Sequence, residues 1–198
     1  MPSPIGHALA GILTVWVADC IPGRRTGRQA ASNASWWHRA GTGLTLSGAA
    51  LAAAPDFDLL FAGHRTVTHS VGAVAVVGAA AALVAARLRW PVTRVALTGA
   101  AAYASHLLLD WMGVDLTVPY GLQALWPFSD RWFISGWSLF RRTERRRIFT
   151  LATLKWNAET VAQEVAMLAP FLAIAWLIRV KALARLATEV PRGNHTPQ

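Results

Sequence analysis

The strongest constraint on the fold is the stretch 71–86, which contains only alanine, valine, glycine and leucine. Apolar runs of roughly 16 to 23 residues recur along the chain, and arginine-rich loops separate them. This pattern is typical of helical membrane proteins, because a helix of about 20 apolar residues crosses the hydrocarbon core of a bilayer. No region has the pattern of an array of strands. We therefore predict an all-α protein.

The predicted fold is an up-and-down bundle of about five largely membrane-embedded helices. Proline and glycine residues interrupt the apolar runs and set the helix boundaries. We place the helices at about 5–20, 41–54, 66–88, 91–111 and 158–180. The connection between helices four and five is too long for a structureless loop in a compact domain. We predict an interfacial insertion there, made of loop and short helix, in which Leu122 to Phe133 lies at the membrane interface over the site.

Residues 1–180 form a single predicted domain, and residues 181–198 form a basic tail that we expect to be disordered. The first twenty residues lack a basic leader and a small-residue cleavage motif, which favours a retained helix over a signal peptide. The formal net charge is +9, yet the arginines flank apolar spans and no nucleic-acid-binding motif is present. Nucleic acid is therefore disfavoured as a partner, and anionic membrane lipids are the simpler prediction.

A pair of ionisable residues ends the fourth apolar run. His106 and Asp110 are four positions apart, so a helix places both on one face, where they can bind the same metal ion. Asp115 follows Gly113, a predicted helix stop, and is a possible third oxygen ligand. The alternative for this motif alone is a capped helix end with a satisfied histidine. With a single cysteine in the chain, any metal must be bound by histidines and carboxylates.

The alternating bundle brings further polar residues to the same end. Four of the six histidines fall there, and only His38 and His195 do not. The residues that converge are His7, Asp56, Asp58, His64, His69, His106, Asp110 and Glu164. Histidines and carboxylates without thiolates suit zinc or another borderline divalent ion, and the set is large enough for one to three ions. Such ions activate water for hydrolysis.

Five motifs in sequence order resemble a known family: PIGHALAG, PDFDLLF, HRTVTHS, SHLLLDWMG and GLQALWPFS. Over residues 2 to about 170 the chain resembles the membrane-bound metal-dependent hydrolases of the YdjM type, which are bacterial inner-membrane proteins. That family is similar in turn to the zinc-dependent phospholipase C and S1/P1 nuclease superfamily, all-helical enzymes with three zinc ions that cleave phosphodiesters. The resemblance implies a multi-pass protein of the inner membrane that hydrolyses a phosphodiester or a phospholipid headgroup.

The resemblance also implies roles for individual residues. The implied metal ligands are His7, Asp56, His69, His106 and Asp110, and Asp56 would also orient the attacking water. Glu164 is a further expected ligand, although Thr160 stands where the superfamily has a histidine four positions earlier. The superfamily also uses the amino group of an N-terminal tryptophan, whereas here residues 1–5 precede the first motif histidine.

Asp58, His64 and Asp115 are expected either to support the ligands or to be additional ligands. The alternative function is a metal-binding membrane protein without enzymatic activity, such as a carrier or a regulatory partner. The substrate and the oligomeric state stay open at this point.

Overall fold

A computed structural model describes residues 1–23, 43–60 and 64–189. Within these ranges the chain forms five α-helices and no β-strand, which confirms the all-α prediction. The helices are α1 (Pro4–Cys20), α2 (Thr45–Ala53), α3 (Val71–Arg87), α4 (Val92–Met112) and α5 (Leu151–Glu189). Two short 3₁₀ helices, Ala54–Leu60 and Val67–His69, follow α2 and precede α3.

The last helix is longer at both ends than the sequence pattern indicated. It begins at Leu151 rather than near residue 158, and it continues to Glu189 rather than stopping near residue 180. The hydroxyl of Thr150 accepts a hydrogen bond from the backbone N–H of Thr153, so it caps the helix directly after the arginine-rich run. The tail predicted as disordered is therefore helical over 181–189, and residues 190–198 lie outside the described ranges. The predicted start of helix two near residue 41 also lies outside them.

Helix α1 is central in the bundle, because it packs against α2, α4 and α5, while α3 packs against α4. The contact between α1 and α2 depends on Gly11 and Gly48. A Cβ atom on Gly11 would lie 2.3 Å from the carbonyl oxygen of Gly48, and one on Gly48 would lie 2.3 Å from a methyl carbon of Val15. Only glycine permits this close approach of two backbones. Consequently the start of α1 lies close to the chain that leaves α2.

One helix in the described ranges is long and apolar enough to cross a membrane. It is the Leu151–Ala182 part of α5, in which an 18-residue window has a mean hydropathy of 1.8. Helices α1 and α3 are also apolar but have 17 residues each, which is at the short limit for a span. The number of membrane crossings therefore stays a prediction.

The connection between α4 and α5 is an irregular segment rather than a set of short helices. A pair of backbone hydrogen bonds between Leu122 and Phe133 forms an isolated antiparallel bridge. The segment packs on the start of α3, where the backbone N–H groups of Val71 and Gly72 donate to the carbonyls of Ala124 and Trp126. It thus covers the end of the bundle at which the predicted site residues converge. Its position relative to a membrane interface stays a prediction.

The opposite end of the bundle carries a buried ion pair. The guanidinium of Arg179, in α5, is 1% exposed and its Nε donates to Asp19 of α1 over 2.8 Å. Arg94, at the start of α4, lies 3.7 Å from the other oxygen of the same carboxylate. Salt bridges therefore link α1, α4 and α5 at this end.

Candidate metal centre

The first turn of α1 carries His7, and a carboxylate from α5 fixes that turn. Glu164 accepts hydrogen bonds from the backbone N–H of Ser3, over 2.6 Å, and from the Ser3 hydroxyl. The same hydroxyl accepts from the backbone N–H of Gly6, so Ser3 caps the helix. A Cβ atom at Gly6 would lie 2.6 Å from a carboxylate oxygen of Glu164, so a larger residue there would displace this carboxylate from Ser3. As a result, the side chain of His7 projects from a fixed helix end.

His7, His106 and Asp110 form one group of possible metal ligands, and all three are buried. The carboxylate of Asp110 lies 3.4 Å from Nε2 of His7 and 3.2 Å from Nε2 of His106. The two imidazole rings stack with centroids 3.6 Å apart. Nδ1 of His106 lies 2.7 Å from the carbonyl oxygen of Ala52 and donates to it, which leaves the lone pair on Nε2 facing the carboxylate. This arrangement is typical of a histidine held ready to bind a metal.

Asp56, His64 and His69 form a second group beside the first. Nε2 of His69 lies 3.1 Å from Nε2 of His106 and 3.4 Å from Asp110, so the two groups share a boundary. An oxygen of Asp56 lies 4.0 Å from Nε2 of His69 and 3.9 Å from Nε2 of His106. Both imidazole nitrogens therefore face the same carboxylate. The geometry accommodates two neighbouring ions, one in each group.

Buried polar atoms without a hydrogen-bond partner are concentrated in this centre. Both ring nitrogens of His7 and both carboxylate oxygens of Asp56 and of Asp110 are in this condition. A buried polar atom without a partner costs about 1–3 kcal/mol, and a charged one costs more. Two carboxylates and an imidazole would all be satisfied by divalent cations placed between them. The residues present thus fit a metal.

Asp58 lies behind the histidines of the second group. It accepts from Nδ1 of His64 over 2.5 Å, from the backbone N–H of Arg65, and from the hydroxyl of Thr68, and it lies 3.2 Å from Nδ1 of His69. Burial opposes its ionisation, but the hydrogen bonds from His69, Thr68 and His64 hold the pKa of this carboxyl well below its usual range. An ionised Asp58 fixes both rings and leaves their Nε2 atoms directed away from it.

The two histidines of this group differ in charge state. Burial lowers the pKa of His64, which keeps its ring neutral at pH 7. Burial also disfavours a charged His69, yet the neighbouring carboxylates of Asp110 and Asp58 outweigh burial and raise its pKa to about 9. In the metal-free protein His69 therefore carries a proton that a metal ion must displace.

Besides Asp58, two of the predicted residues, Glu164 and Asp115, are in neither group. Both oxygens of Glu164 are occupied by Ser3, as described above. Asp115 forms a salt bridge with Arg65 and accepts from the backbone N–H groups of Thr117 and Gly121 over 3.0 Å and 2.7 Å. Each carboxylate instead stabilises backbone next to the centre. The structure does bring together seven of the predicted residues, namely His7, Asp56, Asp58, His64, His69, His106 and Asp110.

One residue near the centre was not predicted. Arg145, in the arginine-rich segment before α5, places one guanidinium nitrogen 3.6 Å from Asp56 and the other 3.3 Å from Nε2 of His64. In the sequence it is one of five arginines within FRRTERRR, a run that usually indicates a solvated surface. Its role could have been inferred from the position of this run, because the run lies in the connection between the site end of α4 and the site end of α5. A cation at this point can bind an anionic substrate beside the metal.

Comparison with known proteins agrees with the motifs. A family model described as YdjM inner membrane protein matches residues 1–185. Neither the curated proteins nor the solved structures give a significant match. The buried histidines and aspartates of both groups all lie within the matched range. The chain therefore belongs to the YdjM inner membrane protein family.

Proposed function

We propose that this chain is a metal-dependent hydrolase of the bacterial inner membrane that cleaves a phosphodiester, such as the headgroup linkage of a phospholipid. The observation that carries the proposal is the set of buried, unpartnered donor atoms on His7, Asp56 and Asp110. Zinc is the preferred ion, since imidazole and carboxylate without thiolate suit it and four histidines surround the space. When bound, such ions lower the pKa of a coordinated water and stabilise phosphoryl oxygens.

The side chains around the centre would have different roles in the reaction. Asp56 faces a histidine of each group and also adjoins Arg145, so it is the carboxylate that would orient the attacking water beside an anionic substrate. Asp58 holds the rings of His64 and His69 in position. The guanidinium of Arg145 reaches the same space and offers hydrogen bonds to a phosphoryl oxygen.

We further propose that the chain crosses the membrane several times and contacts lipid directly. Large apolar side chains point outward from three helices, with Val76 of α3 69% exposed, Leu97 of α4 66% and Leu177 of α5 60%. In the apolar window of α5 only 17% of the residues are buried within the protein. Burial of these outward faces in hydrocarbon would remove a large apolar area from water. We therefore expect lipid chains to cover these outward helix faces.

The alternative function is metal binding without turnover, and one experiment separates the two. The protein is purified in detergent and loaded with zinc, its metal content is measured by elemental analysis, and hydrolysis of bis(p-nitrophenyl) phosphate is followed. We expect at least one bound zinc and metal-dependent release of nitrophenol. Bound zinc without turnover of this ester or of phospholipid vesicles would favour the non-enzymatic function. No bound metal would contradict both.

A further inference from the structure

A cavity of about 200 Å³ adjoins the metal centre on the side of the irregular segment. Its wall includes His64, which also belongs to the second ligand group, so the cavity and the centre share a side chain. The rest of the wall comes from Met1, from Arg65, from the chain that leaves α4, and from residues 142–146. Of the wall residues, only His64 and Arg145 have been given a role above, His64 in the second ligand group and Arg145 towards a phosphoryl oxygen.

The cavity has an excess of positive charge. Its wall contains four arginines, Arg65, Arg142, Arg145 and Arg146, and two carboxylates. One carboxylate, Asp115, pairs with Arg65, and the other, Glu144, lies 3.3 Å from Arg142. Neither carboxylate of the wall forms a salt bridge with Arg145 or Arg146. Arg145 pairs instead with Asp56 of the centre, 3.6 Å away, and Arg146 forms no salt bridge with a described residue. The wall therefore keeps one positive charge without a carboxylate partner, beside a candidate site for divalent cations.

Arg145 connects the cavity with the centre. Its guanidinium forms part of the cavity wall and also lies 3.6 Å from Asp56 and 3.3 Å from His64. An anion bound by Arg145 in the cavity must therefore be the immediate neighbour of a group bound at the metals. Arginine pairs with phosphate through two parallel hydrogen bonds, which makes a cluster of arginines well suited to this anion.

We propose that the cavity binds a second phosphate group of the substrate, next to the phosphate that is cleaved. This inference rests on the proposed hydrolase function and narrows its substrate class. The substrate is then a phosphodiester that carries a neighbouring phosphate, rather than a zwitterionic headgroup whose cationic part would face the arginines. Arg142 and Arg146 contact the second phosphate, and Arg145 lies between the two phosphates.

The test measures binding by calorimetry, so it does not depend on turnover. Zinc-loaded, detergent-solubilised full-length protein is titrated with methylenediphosphonate, which has two phosphonate groups, and with methylphosphonate, which has one. We expect the diphosphonate to bind at least about tenfold more tightly, since a charge-assisted contact contributes about a factor of ten. Zinc content is measured after each titration, because removal of the metal by the diphosphonate would produce heat of its own.

The variants are Arg142→Gln and Arg146→Gln, with Arg131→Gln as the matched control. Arg131 is an exposed arginine in the same segment but outside the cavity wall. The two cavity variants should each lose most of the preference for the diphosphonate, whereas the control should retain it. Arg146→Lys keeps the charge but not the paired hydrogen bonds and should lose less of the preference than Arg146→Gln.

Equal binding of the two phosphonates by the unaltered protein would overturn the proposal, as would a preference that both cavity variants retain. Loss of the preference in Arg131→Gln would also contradict it, because net charge alone would then explain the binding. If the preference depends on Arg142 and Arg146 but no phosphodiester is hydrolysed, the phosphate cavity stands and the hydrolase function fails. The two proposals are thus tested separately.

Discussion

The two ends of helix α1 use buried charge in opposite ways. At its C-terminal end, Asp19 pairs with Arg179 over 2.8 Å and lies near Arg94, so the protein itself supplies the counter-charge. At its N-terminal end, His7 lies against Asp110, and the polar atoms of both side chains lack hydrogen-bond partners. A buried charge is tolerated only when it is paired or when it binds a metal. One end is therefore complete as folded, and the other has unpartnered donor atoms that a metal ion could satisfy.

Removal of a side chain that adjoins both ligand groups should have the largest effect on the candidate metal centre. In His106→Ala and Asp110→Ala we expect metal stoichiometry to fall by at least one ion and phosphodiester hydrolysis to stop. The reason is that Asp110 lies within 3.4 Å of three histidines and His106 adjoins both groups. Elemental analysis of the purified variants measures the stoichiometry. Unchanged metal content in both would show that the unpartnered atoms serve another purpose.

Asp56→Asn should lower turnover much more than it lowers the amount of bound metal. The amide keeps the shape of the side chain but lacks the charge, so turnover at saturating zinc should fall by more than the roughly 100-fold typical of a supporting residue. Metal content should change much less, because the histidines remain. Asp130→Asn, an exposed aspartate in the irregular segment, is the control. Full turnover in Asp56→Asn would remove this residue from the chemistry.

Asp58→Asn should have a smaller effect, because Asp58 acts by holding His64 and His69 rather than by facing the ions. We expect a loss of roughly 10- to 100-fold in zinc affinity or in turnover. The comparison with Asp56→Asn, assayed under the same conditions, is informative. If Asp58→Asn is inactive and Asp56→Asn is not, the two roles are reversed.

Zinc affinity should depend on pH through His69. Its pKa is raised to about 9, so below that pH a proton competes with the ion and affinity should rise by about tenfold per pH unit from this group. The metal-free fold has the opposite dependence. Because folding raises the pKa of His69, protonation of this side chain stabilises the folded state. The stabilisation is complete below about pH 6.5, the pKa of histidine in the unfolded chain, and it is lost as the pH rises towards 9. Calorimetric titration with zinc at pH 6, 7 and 8 measures the slope, and a flat profile would contradict it.

Arg179→Met should have the smallest effect on the metal centre and still destabilise the fold. Removal of one member of a buried ion pair costs up to about 3–5 kcal/mol, and the partial exposure of Asp19 places the expected value near the lower limit. Thermal unfolding in detergent should show a lowered Tm, with metal content unchanged. A loss of metal in this variant would mean that the two ends of α1 are not independent.

The sequence predicted the all-helical fold, and it predicted that most of the candidate site residues lie at one end of the bundle, for a simple physical reason. Helix ends are marked locally by proline, glycine and the limits of apolar runs, and alternation of helices then places His7, His69 and Asp110 at one end. The long-range pairings have no local signal. Nothing in the sequence near Glu164 indicates that it accepts hydrogen bonds from Ser3, 161 positions away. Similarly, the sequence does not distinguish a solvated arginine of the charged run from Arg145, which pairs with Asp56.

The clamp between Glu164 and Ser3 also sets the order in which the site can be assembled. All six members of the two ligand groups lie between residues 7 and 110, so they leave the ribosome well before α5 does. Yet the turn that carries His7 is held by a carboxylate from that last helix. Until α5 is made, the hydrogen bonds that fix this turn cannot form. The turn that carries His7 is thus fixed later than the elements that carry the other members of the two groups.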